Sequence, residues 1–508
     1  MPVAAIVSER VRACRAFLLS CAPFSAPSAA MDTAVFATSQ VMHKLPAQRH
    51  DVAGRPHVDY RAVLALAWPF VLNSSVQAVL NLTDTWFIGR LSTQALAAMG
   101  AVYWLVLVFV LLLGGVGIAV QTLVAQANGG RRWRRAAQAE WTAQWGTLLT
   151  VPLFLAAAWA GPAMLHPFAL EPAVERQALE FWVPRMIGAP IGVALWAVLG
   201  FFNGISRPRV TLAITLLVAA LNAALNRLFI FDLEMGIAGS AWATNVAQLS
   251  GWLVAMSLFL ATSANARFHS RLMWRLRPAR LLRQFLLGFP MGLVYAADLL
   301  GIALFQIMTV RLGSVDGAAT QIVMMLTSIA YLPAVGFAMT GTTLVGQSIG
   351  AGDKEWAMRL GNATIKLSVG YMALIGVFLA VAGPWLLRWF VSPSDSHAAE
   401  VVALGGTLVW IAAGYQIFDG LNLGSGLALR GAGDAVVPAA MVIVLSWFVF
   451  VPVAHALAFA PGRGYVHFLP QFGLGAVGGW LAALLYVFGL GTMLFVRWRS
   501  AAWKKIRL

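Results

Sequence analysis

Charged side chains are scarce in this chain. Asp, Glu, Lys and Arg make up 11% of its 508 residues, whereas a soluble globular domain carries about 25%, so most of the sequence cannot face water. Cysteine is nearly absent: Cys14 and Cys21 are the only two and both precede Met31. This excludes a disulfide framework, a thiolate metal site and a cysteine nucleophile from the rest. No GxxxxGK[ST] phosphate loop and no nucleotide-binding domain occur, which excludes ATP as an energy source. HExxH and GxSxG are missing too, and His455 and His467 stand isolated, read as structural or interfacial. A membrane-embedded enzyme would need His, Asp or Ser clustered at one depth. The chain therefore reads as a non-enzyme that needs no cofactor.

What fills the chain is hydrocarbon: 60% of the residues are hydrophobic. From Tyr60 onward twelve apolar segments are long enough to span a bilayer as helices, which takes about twenty residues each. Their expected limits are 62–89, 98–126, 137–160, 179–203, 210–231, 236–260, 284–312, 318–347, 363–387, 401–428, 435–458 and 472–496. The alternating strands of an outer-membrane barrel are not seen. The net charge of +16 is concentrated in alternate loops, as an orientation signal would be, and implies no nucleic-acid partner. Arg131, Arg132, Arg134 and Arg135 follow the second segment, and Arg207 and Arg209 the fourth. Arg267, Arg271, Arg275, Arg277, Arg280 and Arg283 follow the sixth, and Arg497, Arg499, Lys504, Lys505 and Arg507 the last. The intervening loops hold Glu171 and Glu175, or Asp232 and Glu234. Both termini are thus expected in the cytoplasm of a multi-pass inner-membrane protein.

The chain says one thing twice. Trp68-Pro69, Arg90-Leu91, Ala97-Ala98 and Thr122-Leu123-Val124-Ala125-Gln126 return 221 positions later. There they read Phe289-Pro290, Arg311-Leu312, Ala318-Ala319 and Thr343-Leu344-Val345-Gly346-Gln347. Pro172 and Pro393 keep that offset; a short insertion then sets Gly204 against Gly431 and Gly236-Gly239 against Gly475-Gly478. Six helices separate the copies, so orientation is preserved. The fold class expected is an all-α membrane protein of twelve transmembrane helices in two parallel six-helix repeats, with substrate between the lobes. Residues 1–57 read as a disordered leader. Arg10, Arg12 and Arg15 before Ala16–Cys21 imitate a signal peptide whose apolar core is too short and is broken by Pro23; a start placed ahead of Met31 or Met42 is the other reading. Residues 58–260 form the N-lobe, 261–283 an Arg-rich cytoplasmic linker, 284–496 the C-lobe and 497–508 a basic tail.

Ionisable groups within spans mark function, because an Asp at a helix centre costs about 2.5–3.5 kcal/mol to insert. Asp298 lies eight residues after Pro290 in the seventh segment, and Asp419 lies mid-way along the tenth. Tyr415, Asp419 and Asn422 share one helix face by their spacing. Two carboxylates at that depth can hold Na⁺ or exchange protons. Asp84, with Asn222, Asn226 and Thr244, makes a candidate polar site in the N-lobe, where Arg227 either pairs with Asp84 or reaches the outer interface. Asn and Thr also serve as plain interhelical glue there. Pro69, Pro290 and Pro333 fall inside spans and are expected to kink them.

On these residues the chain resembles the multidrug and toxic compound extrusion (MATE) transporters, in particular their NorM-like branch. The resemblance covers about 60 to 496. It is carried by Thr343–Asp353 after the eighth segment, by Leu429-Arg430-Gly431-Ala432-Gly433-Asp434 after the tenth, and by Pro69 with Asp84. It implies an antiporter that exports organic, often cationic, compounds in exchange for Na⁺ or H⁺, acting as a monomer in the lipid bilayer on small organic substrates. It implies a cation site at Asp298 and Asp419 beside Tyr415, with Asp298 where that branch usually has Glu. It also implies an N-lobe site at Asp84, Asn222 and Thr244, in which Asn226 stands where a second acid is common. The alternative within the same superfamily is a lipid-linked precursor flippase, which would want a cationic central cavity where this chain puts acids.

Overall fold

A computed structural model describes residues 45–166, 171–390, 397–466 and 468–506. The first 44 residues of the expected leader, Pro393 and His467 lie outside that set. With no water in hydrocarbon to satisfy a free amide, the apolar segments close their backbone bonds within helices. α1 (Tyr60–Leu91) starts at Asp59, whose carboxylate accepts from the Arg61 and Ala62 amides. α2 (Thr93–Leu113) starts at Ser92, whose hydroxyl caps Ala95, and continues through Gly115–Ile118 and Val120–Gly129. α3 (Trp133–Trp159), α4 (Pro172–Gly204), α5 (Pro208–Arg227, with a π-helical end Leu228–Asp232) and α6 (Gly236–Leu260) complete the N-lobe. α7 (Pro278–Leu312), α8 (Ser314–Gly350), α9 (Lys354–Phe390) and α10 (Ala398–Ala432) follow. α11 runs as Val436–Ile443, a π-helical stretch Val444–Phe450, and Val451–Ala458; α12 is Gly475–Arg499. Proline opens α4, α5 and α7, where its missing amide costs nothing. Pro69, Pro290 and Pro333 all lie inside helices that continue through them.

Eleven helices among the described residues are long and apolar enough to cross a membrane. The expected third segment, 137–160, is helical as α3 but is not one of these eleven, because Gln138, Glu140, Thr142 and Gln144 occupy its first half. The linker expected at 261–283 holds a short helix, Thr262–Phe268, and α7 begins inside it at Pro278. The end of the expected leader is structured. Gln48–His50 and Pro56–Val58 pair as an antiparallel hairpin, and the hairpin lies against α9, where Trp356 Nε1 donates to Pro46 O at 2.9 Å and Arg359 to Pro56 O at 3.0 Å.

Each lobe has its own core. One large cluster runs from Phe305 to Trp503; two others lie between Leu80 and Phe268. Only small apolar clusters cross between lobes, for example Ala119 with Leu287 and Met291. Phe285 of α7 also packs on one of the N-lobe clusters, and elsewhere the seam has close backbone approaches and polar groups. A Cβ on Gly115 would lie 2.2 Å from Gly288 O, and one on Gly336 would lie 2.5 Å from Val71 N, so these helices touch at van der Waals distance through their main chains.

The doubled motif makes the same contacts twice. Gln126 donates to Gly431 O at 3.0 Å, and its repeat partner Gln347 to Gly204 O at 2.8 Å. Thr122 donates to Arg430 O and Thr343 to Asn203 O, both at 3.1 Å. A Cβ on Gly129 would meet Gln347 O at 1.9 Å, and one on Gly350 would meet Gln126 O at 1.9 Å. The two sequence repeats thus clasp each other reciprocally at the end of the bundle that carries the Arg-rich loops. Gly236 and Gly475 are repeat partners as well: each opens its helix at positive φ, +58° and +60°.

The Leu429–Asp434 motif has a structural task. Gly433 ends α10 in the left-handed region, and Asp434, only 3% exposed, accepts from Arg497 Nε at 2.8 Å. Removing one partner strands a buried charge, so Arg497→Ala is expected to cost about 3–5 kcal/mol. A lowered unfolding midpoint of the detergent-solubilised protein checks this, and an unchanged midpoint contradicts it.

Candidate functional site

In the C-lobe α7 and α10 bring Asp298 and Asp419 close enough for their charges to interact. Asp298 is partly buried, and its Oδ1 accepts from the Tyr486 hydroxyl of α12 at 2.8 Å. Asp419 is 3% exposed. Its Oδ1 accepts from Asn422 one turn later at 3.2 Å, which realises the helix face expected from the spacing. Its Oδ2 is buried as well. Both polar side-chain atoms of Gln416, three residues earlier, are buried without a hydrogen-bond partner among the described residues. The Tyr415 hydroxyl lies within reach of the Asp419 carboxylate, and a buried carboxylate beside a second acid and hydroxyl groups is a donor set that fits a proton or a small cation.

Tyrosines wall this site. Tyr331 of α8 and Tyr415 of α10 both lie within electrostatic range of Asp298 and Asp419, and Tyr295 lies beside Tyr331. Tyr486 stacks on Phe450, with ring centroids 5.2 Å apart, and the π-helical turn of α11 carries Phe450 and Ser446 to that place. A π-turn of this kind re-aims side chains at a site. The sequence reading singled out Tyr415 alone. Four of the chain's eight tyrosines gather here from four different helices, a meeting that no sequence spacing displays. Tyr486→Phe removes one hydrogen bond to Asp298 while keeping the ring. A bond to a charged group is worth about 1.5–3 kcal/mol, so coupling-ion affinity is expected to change roughly ten- to a hundred-fold. Ion titration of intrinsic fluorescence measures it, and an unchanged affinity would detach Tyr486 from the site.

In the N-lobe the expected residues come together. Asn226 Nδ2 donates to Asp84 Oδ1 at 2.6 Å and Thr244 Oγ1 to Asp84 Oδ2 at 3.4 Å. Asn222 bridges Thr244 and Asn226, each at 3.1 Å. Arg227 lies exposed at the end of α5. The cation near Asp84 is Arg185 of α4, which the sequence reading passed over. It interacts electrostatically with Asp84 and Tyr103, and its guanidinium donates to Asn245 Oδ1 at 3.4 Å. Glu140 of α3, fully buried and accepting from Gln144 at 2.6 Å, was missed as well. His455 is a packing residue as expected: its Nε2 accepts from the Tyr465 and Val466 amides.

Two lobes with separate cores, related parts making reciprocal contacts, and acids buried inside each lobe define a polytopic helical transporter rather than an enzyme. The MatE family profile matches residues 69–228 and 290–455, and the chain belongs to that family. A probable multidrug resistance protein NorM of Mesorhizobium japonicum is 29% identical over 467 residues, covering 87% of this chain and 93% of the relative. One of the same name from Burkholderia pseudomallei is 31% identical over 409 residues, 78% of this chain and 86% of the relative. Among solved structures, an outward-facing multidrug resistance MATE family transporter of the MOP superfamily aligns with a TM-score of 0.76 at 18% identity, over 87% of this chain and 96% of that one. A MOP superfamily transporter from Pyrococcus furiosus, described as having a binding pocket of reverse polarity, aligns at 0.75 and 19% identity, over 87% and 96%.

Proposed function

We propose that this chain is an efflux antiporter that exports organic, often cationic, compounds in exchange for Na⁺ or H⁺. It works by alternating access from the bacterial inner membrane, with both termini in the cytoplasm. The observation that carries the reading is the pair of acids, buried Asp419 within charge range of Asp298, on two helices of one lobe. A cation arriving from outside neutralises that pair and favours the state that releases substrate outward. Substrate arriving from inside favours the state that releases the cation. Each ligand shifts the equilibrium only by its differential affinity for the two states. The names of the NorM relatives support the substrate class. The clasp between the doubled motifs supports a conformation shut on the cytoplasmic side, in which the Asp298 and Asp419 site would load from outside.

Accumulation of a fluorescent organic cation inside everted vesicles, under a Na⁺ gradient and separately under a pH gradient, tests the reading. Transport driven by one of them is the expected result. Equal transport with both gradients collapsed would sink it.

A further inference from the structure

At the Arg-rich end, a cavity of about 490 Å³ opens between the lobes. Arg132 and Arg135 of the α3 start line it from the N-lobe, and Arg280 and Arg283 from the first turns of α7. Lys354 of the α9 start, whose ammonium donates to Lys504 O, closes the C-lobe side. No Asp or Glu is among the lining residues, and none of the five cations makes a carboxylate ion pair among the described residues. Arg280 lies near enough to Arg135 for their charges to repel. Three long helices, α3, α7 and α9, also begin at this cavity, which adds the positive ends of their dipoles. Like charges gathered in a concave space focus the field there and raise the local concentration of anions. Orientation by loop charge requires positive residues on this face, but it does not require five of them to converge on one hollow.

We propose that this cavity binds a phosphate-bearing anion, supplied by an anionic lipid headgroup of the facing leaflet or by free phosphate. Several arginines offer paired N–H donors in a fork that matches phosphate oxygens, and basic pockets between membrane helices take such headgroups. The walls come from both lobes, so the cavity exists as a unit only while this end is shut. By linkage the anion favours the shut state. The inference does not depend on the substrate or coupling ion of transport.

The test uses the full-length protein in phosphatidylcholine nanodiscs, with phosphatidylglycerol added at increasing fraction or, separately, with inorganic phosphate in the buffer. The unfolding midpoint is expected to rise with one of these probes, and which one identifies the source. Each cavity arginine that donates to the bound phosphate makes a charge-assisted hydrogen bond worth at least about fivefold in affinity, a contribution the same charges elsewhere on this face do not make. The variant R132Q/R135Q/R280Q/R283Q should therefore lose at least about tenfold in apparent affinity. R209Q/R275Q/R499Q/K505Q, which removes as much charge outside the cavity, should stay within about twofold. If the cavity variant does not fold, Arg135→Gln alone should lose about fivefold. Equal losses in the two fourfold variants, no loss in Arg135→Gln, or no midpoint shift with either probe overturns the proposal.

Discussion

Asp419→Asn is expected to abolish ion-driven efflux while the protein still inserts and folds. Asp419 is buried, with one oxygen held by Asn422 and the Tyr415 hydroxyl within reach of the carboxylate. Asn keeps the shape and the accepting oxygen but cannot carry the charge that a cation or an exchanging proton needs. A hydrogen bond or contact to a charged group is worth about 1.5–3 kcal/mol, so ion affinity should fall by at least roughly tenfold, and more where the charge is the main ligand. Asp298→Asn should act alike. There the Tyr486 hydroxyl still finds an acceptor, so lost transport cannot be put down to a lost fold. Vesicle efflux under the effective gradient, beside a thermal midpoint for each variant, makes the measurement. Full transport in both variants would remove the two acids from the coupling step.

Gly129→Ala and Gly350→Ala should be nearly as severe for the opposite reason. Either methyl would sit 1.9 Å from a main-chain carbonyl of the other lobe, against an ordinary contact of 3.4–4 Å, and a carbonyl inside a helix cannot step aside. The lobes must part. In doing so they weaken reciprocal bonds from Thr122, Gln126, Thr343 and Gln347 worth about 0.5–1.5 kcal/mol each. Transport should drop by roughly tenfold or more, because a cycle that cannot shut one side leaks or stalls. In a background with Cys14 and Cys21 replaced, Thr343→Cys should react faster with an impermeant thiol reagent applied to the Arg-rich face when Gly350→Ala is also present. Wild-type transport in both glycine variants would mean the seam tolerates separation.

Much of this was readable without coordinates. Repeats register as repeats whatever they do, and a carboxylate in an apolar run draws notice by its insertion cost, so Asp84, Asp298 and Asp419 were visible. Helix periodicity also placed Asn422 beside Asp419, because those two belong to one helix. What stayed hidden lies across helices. Tyr486 is 188 residues from Asp298 and Asn226 is 142 from Asp84, and nothing local says which face of α12 or α5 meets which acid. The shared polarity of Asn222, Asn226 and Thr244, together with the resemblance to MATE transporters, betrayed the N-lobe group. Arg185 escaped because it falls six residues into the expected 179–203 segment, where an arginine reads as an anchor at the membrane boundary. The clasp was half visible: its donors were the very marks that disclosed the duplication. Their acceptors are carbonyls, which a sequence cannot display.

The seam between the lobes has a thermodynamic corollary. Where the doubled motifs clasp, its crossings are amide to carbonyl and hydroxyl to carbonyl. Wetting it changes heat capacity far less than wetting a greasy joint of equal area, since apolar and polar exposure enter with opposite sign. The free energy of parting that clasp should consequently vary gently from cold to warm.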